Sequence, residues 1–135
     1  MNVQFYQSID DTLLTRTAVV ARKNNQWVFC KSEETYGVPS GPRAPKESIL
    51  DAASRTLKEK IGPSDFTLIP VCAYSIEKKD STAYGMLYFA KIESFDCDRE
   101  NITLLDQLPN VWAEPHVQIP IIEKVRHTGL MRLAG

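Results

Sequence analysis

The sequence predicts a mixed β-sheet with helices packed on its faces, and three observations predict it. Two adjacent stretches, 16–23 and Gln26–Ser32, are rich in β-branched and aromatic residues. They are apolar on nearly every position around 19–21 and 27–30, as strands buried on both faces are. An amphipathic segment of helical period separates them from two later strand-like runs, 66–76 and 83–92. The polar tip Glu-Lys-Lys-Asp-Ser between those runs reads as a hairpin, so antiparallel pairs dominate and helices are left to cover the faces.

The elements follow in order. A short strand is expected at 3–6. Asn24-Asn25 joins the two early strands as a tight turn, since Asn tolerates the left-handed region. The segment 33–46 is a loop holding Pro39, Gly41, Pro42 and Pro45. Ser48, with Asp51 three residues on, gives a capping-box-like helix start. Ile49, Leu50, Ala53, Leu57 and Ile61 form the apolar stripe of that helix, and Gly62-Pro63 stops it. Pro70 marks part of the 66–76 strand as an edge or a bulge. After an acidic segment from Glu93 to Glu100, 104–108 reads as a short strand or turn, and 118–127 as a closing helix with Pro120 near its start.

A chain of 135 residues suits one domain, 1–135, with one core. A composition 43% hydrophobic and 24% charged is that of an ordinary soluble globular protein. The net charge of -1 argues against a nucleic-acid polymer as partner, but not against a nucleotide bound by a few focused basic groups. No apolar run reaches membrane-spanning length, and the first residues lack a signal peptide's pattern. Cys30, Cys72 and Cys97 are odd in number and lack CxxC spacing, which suits reduced thiols in a cytoplasm.

Chemistry concentrates on the first helix. Thr56 shares a face with Glu59 and Lys60, and Arg55 stands one turn before Glu59. The polar face is expected to meet the Gly/Pro loop if that loop folds back over it. Backbone amides and carboxylates would then face each other, as a metal-bound diphosphate requires. In isolation, Arg55 and Glu59 would be a helix-surface ion pair worth a few tenths of a kcal/mol. Glu47 would be a charge stabilised by the helix N-terminus. The acidic residues Glu93, Asp96, Asp98 and Glu100 are either a solvated loop or the source of a further carboxylate. Trp27, Tyr36, Tyr74, Tyr84 and Trp112 are core residues or platforms for a base.

The stretch from Tyr36 to Gly62 resembles the Nudix box of Nudix hydrolases. Gly41, Glu47, Arg55, Leu57, Glu59 and Gly62 fall in the register of that motif without gaps, and Tyr36, Pro39 and Gly41 resemble its lead-in. The order of the flanking strands and the final helix extends the resemblance over nearly the whole chain. It implies an α/β/α sandwich with a mixed sheet between helices. It also implies a pyrophosphohydrolase acting on nucleoside diphosphate derivatives or nucleoside triphosphates with Mg²⁺ or Mn²⁺. On that basis Glu59 and Glu47 are the expected metal ligands, Arg55 and Glu59 the catalytic pair, and Gly41 and Lys60 phosphate contacts. A homodimer is compatible with the same reading.

Three positions depart from the motif. Thr56 and Lys60 stand where two of its glutamates belong, and Pro63 replaces an aliphatic residue. The first two changes take the formal charge of the carboxylate cluster from about -3 to about 0 with Lys60 protonated. Lysine offers no lone pair while charged. Two unit charges ~4 Å apart interact by ~4 kcal/mol at a surface-like dielectric, but a long side chain can swing away, so the loss of ligands weighs more than the repulsion. The expectation is therefore catalysis weakened or abolished. The alternative is a non-catalytic domain that binds a nucleotide, a phosphate or a partner.

Overall fold

A computed structural model describes residues 2–95 and 101–130. Eight strands form one sheet: β1 (Asn2–Tyr6), β2 (Leu14–Lys23), β3 (Gln26–Ser32), β4 (Thr35–Gly37), β5 (Ser40–Pro42), β6 (Pro63–Lys78), β7 (Ser81–Phe95) and β8 (Ile102–Leu105). Two helices, α1 (Ile49–Ile61) and α2 (Pro115–Arg126), cover it, and a single 3₁₀ turn, Asp11–Leu13, precedes β2. The strand order is β1-β6-β7-β2-β3-β4, with β5 on β2 and β8 on β3. Among the described residues, β2 and β7 are the one pair of strands that runs parallel. No helix among the described residues is long and apolar enough to cross a membrane.

Alternation along β2 sorts the core into two layers. Ala18 and Val20 face α2, where they join Phe29, Tyr74, Leu87, Phe89, Ile121, Ile122 and Val125. Val19 and Ala21 face α1, where they join Val28, Ala53, Leu57, Ile61, Tyr88 and Ala90. This is the expected α/β/α sandwich, and the side-chain period of two is its cause. Each fully buried aliphatic side chain contributes about 2 kcal/mol by removal from water.

The local signals act as their chemistry dictates. Asn24 and Asn25 adopt φ of 49° and 51° at the β2–β3 turn. The Ser48 side chain accepts the Asp51 amide, and Gly62 ends α1 with φ of 64°, a region that costs a side chain energy. Lys78 pairs with Ser81, so the 78–81 hairpin is tight. Pro70 sits at a register shift against β7, on a part of β6 that β1 does not reach.

Some expectations are corrected. The long strands run further than the apolar pattern suggested, because polar ends continue the ladder as far as Lys78 and Phe95. The short strand lies at Ile102–Leu105 rather than 104–108 and pairs with β3. The closing helix starts at Pro115, which occupies its first turn, so Pro120 is interior. Leu50 is 51% exposed and leaves the apolar stripe, since α1 touches the sheet through Ala53, Leu57 and Ile61. Cys97, Asp96, Asp98 and Glu100 lie outside the described residues, while Glu93 forms a 3.4 Å ion pair with Lys91.

Candidate functional site

The site begins with a divergence of strands. One edge of β2 is occupied by β7 along residues 14–22. On its other edge β3 pairs only from Ala21 onward, and β5 takes the same edge from Arg16 to Ala18. The Val19 amide bonds to the Pro39 carbonyl at 2.9 Å, which carries the chain across the gap. So the Gly/Pro segment, expected as a loop, is partly zipped to the sheet as β5. A cleft opens where β3 turns away.

The helix α2 closes one side of this cleft. Tyr36 bonds through its backbone to Val111 and Ala113, which fixes the approach to α2. Gln118 then accepts the buried Val38 amide at 3.0 Å. A buried amide without such a partner would be costly, so this side chain locks the segment before β5 against the helix. Cys30, Gly37, Ser40, Lys60, Glu114 and Gln118 are among the residues around the resulting cavity of about 200 Å³.

On α1, the expected face is built differently from its spacing. Arg55 grips Glu47 with both ends of its fork, Nε to Oε2 at 2.8 Å and Nη2 to Oε1 at 2.9 Å. The same Nη2 donates to the Pro42 carbonyl at 2.8 Å, and Nη1 reaches Glu59 at 3.3 Å. The Ala44 amide donates to Glu47 Oε1 at 2.9 Å. These partners, Arg55 first, hold the Glu47 carboxyl down at about 2 against an ordinary 4.5. The pairing also raises the Arg55 pKa above its usual value. Bidentate, charge-assisted bonds of this kind fix orientation as well as charge.

Arg43 was not singled out by its sequence, yet it ties the loop from behind. It donates to the Glu47 carbonyl at 2.7 Å, to the Asp11 and Leu14 carbonyls, and to the Asp11 carboxylate at 3.0 Å. Its only sequence signal is a cation between two prolines, Pro42 and Pro45, in a loop that also holds Lys46.

Thr56 is not on the polar face. It is 1% exposed, and a Cβ placed on Gly41 would lie 3.2 Å from its hydroxyl. Gly41 pairs with Thr17, and the Thr17 and Thr56 hydroxyls are both buried without a hydrogen-bond partner among the described residues. The correction has a plain cause: β5 lies on this part of α1 and turns a surface position into an interior one. Lys60 is exposed and lines the cleft. Its charge is felt at Cys30, whose thiol burial nonetheless pushes up to about 11.

The structure thus brings Arg55, Glu47 and Glu59 together, sets Gly41 on Thr56, and places Lys60 in the neighbouring cleft. Mg²⁺ asks for several oxygen ligands with lone pairs to spare. Here both Glu47 oxygens are engaged, Thr56 is sealed under Gly41, and Lys60 is a cation. No group of three or more His, Cys, Asp or Glu side chains converges among the described residues. Of the motif's clustered glutamates Glu59 alone stands there, a poorer donor set for a divalent ion than the motif provides.

Neither a protein-family model nor a curated relative matches the sequence. Solved structures do match its shape. The pyrophosphohydrolase BsRppH of Bacillus subtilis superposes with a TM-score of 0.78 at 20% identity, over 94% of this chain and 91% of that one. A Nudix hydrolase from Nitrosomonas europaea gives 0.68 at 18% identity, over 85% and 90%. The Nudix domain of NrtR from Shewanella oneidensis, solved with ADP ribose, gives 0.64 at 16% identity, over 85% and 87%. The two-faced sheet, the helix carrying Arg55 and Glu59, and these superpositions give one conclusion: the chain has the Nudix fold.

Proposed function

We propose that this protein binds a small nucleotide derivative, a nucleoside diphosphate joined to a further group, in the cleft beside Lys60, and that metal-dependent hydrolysis of it is weakened or lost. One observation carries the reading. Where the Nudix box has two carboxylates, this chain has a threonine buried beneath Gly41 and a lysine at the cleft. A cation there favours an anionic ligand directly and disfavours a bridging metal. The shape supports the ligand class, since one structure of the same fold holds ADP ribose. In this reading Arg55 is a positioning residue that holds Glu47, Glu59 and the β5 backbone in place, and Gly41 admits β5 close to α1.

The test is calorimetric titration of ADP-ribose, first in EDTA and then in Mg²⁺, with an assay for phosphate-anhydride cleavage alongside. Equal affinity in both, and loss of roughly tenfold in Lys60→Gln, are the expected results, the size being that of a charge-assisted hydrogen bond. Metal-dependent turnover that vanishes in Glu59→Gln would replace this reading with that of a pyrophosphohydrolase.

A further inference from the structure

A second cavity, of about 190 Å³, adjoins the Lys60 cleft and shares Val38, Ser40, Glu114 and Gln118 with it. Its floor has a feature that packing alone does not require. Arg16 leaves β2 on the face of Ala18 and Val20 and lies beside Tyr74, both side chains crossing Gly85. Tyr74 is 1% exposed. The Arg16 Nε atom is buried with no hydrogen-bond partner among the described residues. A buried charged donor left unsatisfied is expensive, so natural structures give it a partner.

Three strands in register build this floor. Gly85 of β7 pairs with Arg16 on one side and with Tyr74 of β6 on the other. A Cβ at Gly85 would stand 2.7 Å from the Tyr74 hydroxyl and 2.8 Å from Arg16 Cγ. Only a glycine lets both side chains lie flat on β7 there. Lys78 and Ser81, from the β6–β7 hairpin, line the same cavity. Neither Arg16 nor Lys78 is ion-paired among the described residues, and the one carboxylate in the lining, Glu114, belongs to the α2 wall.

We infer that this cavity is an anion subsite that takes a phosphoryl group on Arg16, assisted by Lys78. The guanidinium supplies planar paired donors and the ammonium a point charge, the combination that suits a tetrahedral dianion. The inference rests on the proposed nucleotide ligand and narrows it. A ligand spanning both cavities carries a second phosphoryl group, separated from the one at Lys60.

The test uses the wild-type chain labelled with ¹⁵N. Inorganic phosphate is titrated at constant ionic strength while the Arg16 Nε–H resonance is followed, so that screening does not change. A saturable shift is expected. Arg16→Gln should weaken phosphate binding by roughly tenfold and Lys78→Gln by roughly threefold, the sizes of a partly buried and an exposed charge contact. Lys58→Gln, on α1 and outside both cavities, should leave it unchanged. No saturable shift in the wild type overturns the subsite, whatever the variants do. A second arm separates free phosphate from a ligand's own group: a nucleoside 3′,5′-bisphosphate is compared with its 5′-monophosphate. Tighter binding of the bisphosphate, with the gain lost in Arg16→Gln, supports the spanning ligand, and equal binding overturns it. Phosphate at Arg16 without ADP-ribose binding would instead remove the proposed function and leave the subsite standing.

Discussion

Two arginines, on opposite faces of one sheet, are treated in opposite ways. Arg55, on the α1 side, has its fork filled by Glu47, Glu59 and the Pro42 carbonyl. Arg16, on the α2 side, keeps a buried Nε with no partner among the described residues. The first is a fastening: its bonds are internal and it has little left to offer a ligand. The second holds a donor in reserve. The recognisable motif thus has its arginine engaged in internal bonds, while Arg16 holds its donor on a face that no motif announces.

The largest effect that sharpens this contrast should come from the glycines beneath the two sites. Gly85→Ala forces Tyr74 or Arg16 to move, at about 1–3 kcal/mol, the usual cost of overpacking. Gly41→Ala meets only the Thr56 side chain, its hydroxyl nearest at 3.2 Å, and should stay within about 1 kcal/mol, helped by the reduced freedom of the unfolded chain. Urea denaturation of both variants checks the order. A reversal would mean that the α1 side is the tighter of the two.

Acid should distinguish the faces next. Glu47 has its pKa lowered in the folded state, from 4.5 to about 2, chiefly by Arg55. Its contribution to stability is therefore complete above the unfolded value and is lost as pH falls from about 4.5 to about 2. Thermal midpoints of Glu47→Gln and wild type should differ most at neutral pH and converge across that window. A constant difference would mean that the pair does not depend on the carboxylate's charge. At neutral pH, Arg55→Gln should lower the midpoint more than Arg16→Gln, because only the former strands a fixed carboxylate.

The smallest effect concerns Thr56. Thr56→Val removes a buried hydroxyl that has no partner among the described residues, keeps the shape, and should stabilise the chain by about 1 kcal/mol. Destabilisation on urea titration would show that the hydroxyl is satisfied and would reopen the α1 side as a polar site.

The sequence made some of this legible and not the rest. The sandwich could be read because the strands carry apolar residues on both faces and the helix has one apolar stripe, which are local patterns. The grouping of Arg55 and Glu59 could be read because four residues make a helical turn. Thr56 could not. Its helix position marks a polar face, and only the pairing of β5 with β2 buries it. Leu50 failed in the same way, since periodicity does not say where the sheet ends. Arg16 was hidden more deeply. Its surroundings come from Gly85 and Tyr74, far along the chain and joined to it only by a parallel and an antiparallel pairing.

The outer edge of β6 has a consequence of a different kind. Among the described residues, the pairing with β1 covers only Ala73 to Glu77, so the earlier part of the strand ends the sheet there. An open edge invites a second chain to add its own strand and begin aggregation. Pro63 and Pro70 stand near the two ends of that stretch, and neither has an N–H to offer. Pro70 is also where the register slips, which interrupts the regular ladder that a foreign strand would need. The same proline that bends the strand thus helps to keep one copy of the chain from templating another.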